Sequence, residues 1–157
     1  MRATRSWPAD GKEESSFRVE KTAGGCHLYD KEFEKRQEKL TWANNPKFLL
    51  KIDSLSKANV KITLNRPEKV WKKRIAKDPI GCMIGLYLYE YGQTLSLGTL
   101  LNSPNFVPMN QINEEVELAP GKSGYVIMPT TYEPNKLGPF NISVATDVDF
   151  SLKELEV

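Results

Sequence analysis

The chain has 157 residues, which suits one domain and is short for two. Hydrophobic residues make up 39% and charged residues 27% of the chain, a composition that indicates a folded globular protein and excludes a disordered one. The 22 basic and 20 acidic residues leave a net charge of +2, so the overall charge gives no indication of nucleic-acid binding. Two cysteines are too few for the disulfide framework of a small secreted domain. We therefore expect a cytoplasmic protein, with a nuclear or membrane-associated location as the alternative.

The N-terminal part of the chain changes character at residue 17. Residues 1–16 are polar and irregular, which predicts a tail or an interdomain linker. Residues 17–21 alternate apolar and polar side chains with period two, which predicts the first strand of a single domain over residues 17–157. Residues 30–40 are charged and rich in helix formers, and they predict a short surface helix.

Three further strands are predicted before residue 92. Residues 47–52 and 59–65 have the composition of strands, and the second segment alternates clearly. Residues 80–91 are almost continuously apolar, which predicts a central strand with one aromatic face. The apolar run stops at Glu90, far short of the about 20 residues that a membrane span needs.

A basic segment, residues 66–77, lies between these strands. It contains six cationic side chains against the single acid Glu68. Pro67 is suited to open a helical turn, in which Trp71 and Ile75 would share one face. A charge run of this kind predicts either a solvated surface or a contact with an acidic partner.

The C-terminal part predicts four more strands. Residues 115–118 and 125–128 are separated by a glycine-rich turn, and together they predict a β-hairpin. Residues 140–145 and 150–155 alternate with the same period. About eight short strands with many Gly and Pro turns predict an all-β fold, an antiparallel eight-stranded β-sandwich.

No self-sufficient active site is visible in the sequence. The single histidine, His27, is adjacent to Cys26, and neighbouring residues of an extended chain point to opposite faces, so the two cannot act as base and nucleophile. With Cys82 they provide too few ligands for a tetrahedral zinc site.

Four short segments, in a fixed order, resemble the motifs of one protein family. They are Thr22-Ala23-Gly24-Gly25-Cys26 with Trp42-Ala43-Asn44-Asn45-Pro46-Lys47-Phe48; Ile62-Thr63-Leu64-Asn65-Arg66; Ile84-Gly85-Leu86-Tyr87-Leu88-Tyr89-Glu90; and Leu118-Ala119-Pro120-Gly121 with Tyr125-Val126-Ile127-Met128-Pro129-Thr130-Thr131-Tyr132-Glu133-Pro134. Over residues 17–157 the chain resembles the C2-like domain (domain III) of calpain cysteine proteases.

The resemblance implies a C2-like sandwich that is not itself the protease, because the catalytic residues of calpains lie in a separate papain-like core. It implies no catalytic site in this chain, and a parent protein that is a cysteine endopeptidase. We also expect no cofactor-binding or metal site. It also implies a structural motif in which Cys26 packs as a small buried thiol. The motif comprises Gly24, Gly25, Cys26, Trp42, Pro46 and Phe48.

The chain departs from the family pattern in three places, one of which is a longer segment between Cys26 and Trp42 that is consistent with an inserted helix. Conventional calpains carry a strongly acidic loop where this chain has residues 53–57, which contain only Asp53 and Lys57 as charged residues. Calcium takes about six to eight oxygen ligands, and Asp147 and Asp149 add no cluster, so we expect no calcium site. No EF-hand pattern follows the last strand, which indicates a truncated chain or the PalB-like branch (calpain seven), and we favour its C-terminal C2-like domain.

Two functions follow as hypotheses. The first is a regulatory or interaction domain that packs on the protease core and on a neighbouring C2-like domain of the same chain, or on other proteins. The alternative is binding to an anionic membrane or phosphoinositide through residues 66–77, with Trp71 as an interfacial anchor. The candidate contacts are Lys69, Trp71, Lys72, Lys73, Arg74 and Lys77. We expect no nucleic-acid partner.

Overall fold

The computed structural model describes residues 3–6, 15–17, 26, 45–120, 122–133 and 136–155. These residues form two antiparallel sheets, one α-helix and one short 3-10 helix, Leu97–Thr99. The helix, α1, spans Glu68–Lys77. The strands are β1 Ala3–Ser6, β2 Ser15–Phe17, β3 Lys47–Asp53, β4 Ala58–Asn65, β5 Ile84–Glu90, β6 Gln111–Leu118, β7 Tyr125–Thr131, β8 Gly138–Thr146 and β9 Asp149–Leu155.

The two sheets have different strand orders. The first sheet has the order β1-β8-β4-β6, with β2 also paired to β8, and the second has the order β5-β7-β3-β9. The predicted antiparallel β-sandwich is confirmed, although the described residues contain nine strands rather than eight. The additional strand is β1, which pairs with β8 and falls in the segment predicted to be a tail or linker.

Period-two alternation places the main core between the sheets. Alternate residues of β4 and β8 are buried, and they meet the buried side chains of β3 and β7. The rings of Phe48 and Phe140, one from each sheet, pack edge to face with centroids 6.0 Å apart. Burial of each such side chain contributes roughly 1.5–3 kcal/mol.

Strand β5 is buried on both faces, as predicted. Leu86 and Leu88 belong to the main core, whereas Tyr87 and Tyr89 pack in a second cluster with Cys26 on the opposite face of the sheet. The predicted aromatic face is therefore confirmed. The strand begins only at Ile84, because the residues before it form a turn.

The predicted hairpin of residues 115–118 and 125–128 is wrong. Strand β6 pairs with β4 in the first sheet, while β7 lies between β5 and β3 in the second. The connection therefore crosses from one sheet to the other, and the Tyr125 hydroxyl holds it by donating to the Ala119 carbonyl at 2.6 Å. Gly124 is required here because its φ is +130° and a Cβ would lie 2.8 Å from Cδ1 of Leu49.

Several predictions fall on residues outside the described ranges. The surface helix predicted for residues 30–40 is one of them, and most of the strand predicted for 17–21 is another. Gly24, Gly25 and Trp42 of the proposed structural motif also lie there.

Candidate interaction site

Helix α1 occupies most of the basic segment and is longer than the predicted helical turn. Pro67 precedes its first turn in an extended conformation, Glu68 lies in that turn, and Arg74 and Lys77 lie in the last turn. Proline is tolerated at this end, and these charges complement the helix dipole. The helix ends where the Asp78 amide donates to the Arg74 carbonyl at 2.9 Å.

The inner face of α1 is apolar and fixes the helix to the sandwich. Trp71 is completely buried, and its Nε1 donates to the carbonyl of Pro139 at 2.8 Å. Val70 and Ile75 are partly buried against the main core, so Trp71 and Ile75 share a face as predicted. The prediction that Trp71 is an interfacial anchor is wrong, because a buried indole cannot enter a membrane interface without leaving the core.

Arg66 is buried as well, although the sequence placed it in a charged surface segment. Its Nη1 donates to the Cys82 carbonyl and its Nη2 to the Met109 carbonyl, both at 2.7 Å. The guanidinium carbon lies 4.6 Å from the centroid of the Trp71 ring, and burial lowers the pKa of Arg66 to about 10. Arg66 therefore has a structural role, because it connects the end of β4 to two loops through hydrogen bonds.

The outer face of α1 carries the lysine stripe, which comprises Lys69, Lys72, Lys73 and Lys77. Their spacing of three and four residues puts all four on one side of the helix, opposite Trp71. All four are exposed, and none is recorded in an ion pair within the described part of the chain. The structure thus brings these four predicted residues together on the exposed face of a helix whose inner face is packed on the sandwich.

Arg74 differs from the lysines because it turns towards the sandwich. Its Nη1 donates to the Leu137 carbonyl, and its guanidinium carbon lies 5.3 Å from the centroid of the Trp71 ring. It remains exposed, at the edge of a cavity of about 550 Å³ beside the C-terminal end of α1. Arg74 is therefore part of the helix anchor as well as a candidate contact.

An ion pair between Lys136 and Asp78 lines the same cavity. Lys136 Nζ lies 2.6 Å from Oδ2 of Asp78 and 3.8 Å from Oε2 of Glu133. The Lys136 ammonium and the Gly81 amide, which donates to Oδ1, hold the pKa of the Asp78 carboxyl below its ordinary value. The lysine charge is neutralised there and does not extend the lysine stripe.

The cysteines and the described residues of the structural motif are buried. Cys26 is completely buried, and its amide donates to the Tyr132 carbonyl at 3.0 Å. Pro46 and Phe48 are buried too. Burial also raises the pKa of the Cys82 thiol, so neither thiol offers an accessible, activated nucleophile.

Three aspartates, Asp53, Asp147 and Asp149, are the candidate calcium ligands in the sequence, from which we expect no calcium site. The carboxylate of Asp147 accepts hydrogen bonds from the amide and the Nδ2 of Asn59, both at 3.0 Å. Asp53 and Asp149 are cross-strand neighbours on β3 and β9. Within the described ranges no three His, Cys, Asp or Glu side chains are grouped to hold a metal ion. In the same residues no helix is long and apolar enough to cross a membrane.

The sequence prediction missed one polar site, at the open side of the sandwich. Glu114 points between the sheets from β6, and its Oε1 accepts a hydrogen bond of 3.2 Å from Nδ2 of Asn102. Burial raises the pKa of the Glu114 carboxyl. The signal is the pair Glu114-Glu115 in an alternating strand, because two consecutive acids cannot both face solvent.

Comparisons with known proteins agree with the resemblance. Residues 13–145 match the family model described as calpain large subunit, domain III. The chain is 24% identical over 178 residues to the calpain-1 catalytic subunit of Mus musculus, and this alignment covers 99% of this chain and 23% of that protein. It is 26% identical over 158 residues to the calpain-2 catalytic subunit of Homo sapiens, covering 87% and 21% respectively. For the calpain-type cysteine protease ADL1 of Oryza sativa the identity is 26% over 147 residues, covering 84% of this chain and 6% of that protein.

The chain thus spans less than a quarter of the length of each of these relatives. Assignment to the PalB-like branch stays a prediction. The family model covers most of the chain, and the fold is the predicted sandwich. The chain belongs to the calpain domain III family.

Proposed function

We propose that this chain is a non-catalytic positioning domain of a calpain-type cysteine protease, and that the lysine stripe is its contact with an acidic surface of the protease core or a neighbouring C2-like domain. Family membership supports the parent activity, and the completely buried Cys26 supports a chain without a nucleophile of its own. The chain has only two cysteines, both buried, which suits a cytoplasmic protein.

The observation that carries this proposal is the anchoring of the helix that bears the lysine stripe. Trp71 and Arg74 bind α1 to residues 137–139, so the four ammonium groups project from a fixed surface. The anchored helix backbone loses little conformational freedom on docking, and its row of like charges steers an oppositely charged surface into one orientation. Positioning a domain requires both properties.

The alternative is electrostatic adhesion to an anionic membrane or phosphoinositide. Each lysine near such a surface contributes about 1 kcal/mol, so the stripe would contribute about 4 kcal/mol, strongly reduced by salt. Ile80, which is 63% exposed and lies three residues beyond Lys77, is the apolar side chain that favours this alternative. Trp71 makes no contribution, since it is buried.

Charge reversal of the stripe tests the proposal. We expect Lys72→Glu with Lys73→Glu in the full-length parent to lower its peptide hydrolysis, while leaving the folding of the domain unchanged. A matched control is Lys51→Glu with Lys153→Glu, which reverses two exposed lysines on the second sheet. The control should retain the parent's activity.

Liposome co-sedimentation of the same variants separates the two functions. Reduced hydrolysis without any lipid binding by the original chain supports the positioning role. Pelleting with anionic vesicles that is lost in the double variant, together with unchanged hydrolysis, supports the membrane alternative. If both hydrolysis and pelleting are unaffected by the charge reversal, the lysine stripe has neither function.

A further inference from the structure

One side of the sandwich combines an acidic cleft with a strand edge to which no other described strand is paired. Strand β6 ends the first sheet and β5 ends the second, and both line a cleft of about 280 Å³ between the sheets. Leu86, Leu88 and Val116 provide its apolar wall. The charged residues that line it are Glu114 and Glu115, both acidic.

The edges of β5 and β6 differ in whether another described segment is hydrogen-bonded to them. The loop after β5 covers the edge of that strand, because the Leu101 amide donates to the Leu88 carbonyl at 2.7 Å and the Val107 carbonyl accepts from the Ile84 amide at 2.8 Å. Strand β6 pairs with β4 over all eight of its residues, and no other described strand pairs with its outer edge. Alternate backbone N–H and C=O groups along an edge strand are available to another chain.

We propose that the β6 edge binds an extended peptide segment and that the adjacent cleft receives a lysine or arginine side chain of that segment. The backbone of the segment continues the first sheet, as in β-strand addition. The aliphatic stem of the basic side chain packs on the apolar wall, and its cationic head reaches Glu114. This proposal does not depend on the lysine stripe.

Charge determines the occupant. A second copy of the chain paired through the same edge would bring Glu114, Glu115 and Glu117 against the same acids, and like charges on paired strands repel. An inward-pointing charge such as Glu114 is also a common protection of an edge against indiscriminate pairing. A basic strand removes this penalty, because burial in the cleft strengthens its pairing with the carboxylate.

The polar group at the floor of the cleft is held in position. Asn102 donates from Nδ2 to Glu114 and to the Leu86 carbonyl at 2.9 Å, and its Oδ1 accepts from the Leu88 amide at 2.9 Å. The burial that raises the pKa of Glu114 is partly opposed by the Asn102 hydrogen bond. A cation bound in the cleft would lower this pKa further towards the ordinary value.

The experiment uses the full chain, labelled with ¹⁵N, and two capped peptides, Thr-Val-Lys-Val-Lys-Val-Thr and Thr-Val-Glu-Val-Glu-Val-Thr. We expect the lysine peptide to shift the amide resonances of β6 and slow their hydrogen exchange, and to lower the pKa of Glu114. The glutamate peptide should do neither. Only every second amide of the bound peptide points towards β6. N-methylation of that set of amides in the lysine peptide should abolish binding, whereas N-methylation of the other set should be tolerated.

Glu114→Gln keeps the size of the side chain and its acceptor for Asn102, and should weaken binding of the lysine peptide about fivefold or more. Glu117→Gln is the matched control on the same strand, because its side chain lies on the outer face beside Lys57 at 3.3 Å, and it should change the affinity by less than about twofold. Equal affinity for the two peptides, or no shift in β6 at millimolar lysine peptide, would overturn the proposal. So would an equal effect of the two substitutions.

Discussion

Substitution of Arg66 tests whether this residue of the basic segment stabilises the fold, in contrast to the exposed lysines of the same segment. Its side chain is 1% exposed and joins the end of β4 to the turn before β5 and the loop before β6. Replacing Arg66 with Met keeps the length and the apolar contact of the side chain but removes both hydrogen bonds to carbonyl oxygens. If the structure is right, this single change should destabilise the domain strongly.

The magnitude follows from the environment of each carbonyl. A buried acceptor without a partner costs about 1–3 kcal/mol, and the Cys82 carbonyl belongs to a buried residue. Met109 is 58% exposed, so water can replace much of the second hydrogen bond. Loss of the cation–π contact with Trp71 adds about 1 kcal/mol. We expect Arg66→Met to lower the free energy of unfolding by about 2–4 kcal/mol.

Urea unfolding of the chain, followed by far-ultraviolet circular dichroism, measures this difference. Lys69→Met is the matched control, because it removes a cation from the same segment at an exposed position, and it should change stability by less than about 0.5 kcal/mol. Arg66→Lys keeps the charge but not the two-armed donor, and we expect an intermediate loss. An Arg66→Met variant as stable as the Lys69→Met control would refute the structural role assigned to the hydrogen bonds of Arg66.

Three further predictions concern neighbouring parts of the structure. Gly138→Ala should lower the free energy of unfolding by about 2–4 kcal/mol in the same assay, because φ is +154° and the new Cβ would lie 2.5 Å from Cζ2 of Trp71. Asn102→Ala removes three hydrogen bonds and should speed amide exchange in the loop over residues 92–110, with β3 and β9 as unaffected controls. The carboxyl of Asp78 should titrate below the ordinary pKa of aspartate by NMR, and Lys136→Met should raise that pKa. Since the pKa of Asp78 is lowered on folding, the stabilisation by the Asp78–Lys136 pair is present at neutral pH and is lost as the pH falls through the lowered pKa. Equal pH dependence of stability in the original chain and in Lys136→Met would contradict this.

The sequence by itself determined the approximate positions of strands β3 to β9 and the buried faces of β4 and β5, although it did not predict β1. Val60, Ile62 and Leu64 alternate with polar residues, and they lie in the core as the alternation predicts. The continuous apolar run of β5 likewise predicted burial on both faces. These properties follow from local geometry, since successive side chains of a strand point to opposite sides.

The tertiary structure decided which strands pair and which charges face solvent. Strands β6 and β7 are joined by a short turn, yet they lie in different sheets, because β6 has one apolar face whereas β7 is buried throughout. In the basic segment, Trp71 and Arg66 are buried while Lys72 and Lys73 are exposed. Burial of Arg66 depends on two carbonyls 16 and 43 residues away along the chain, and a side chain's environment at such separations is set only when the strands have assembled.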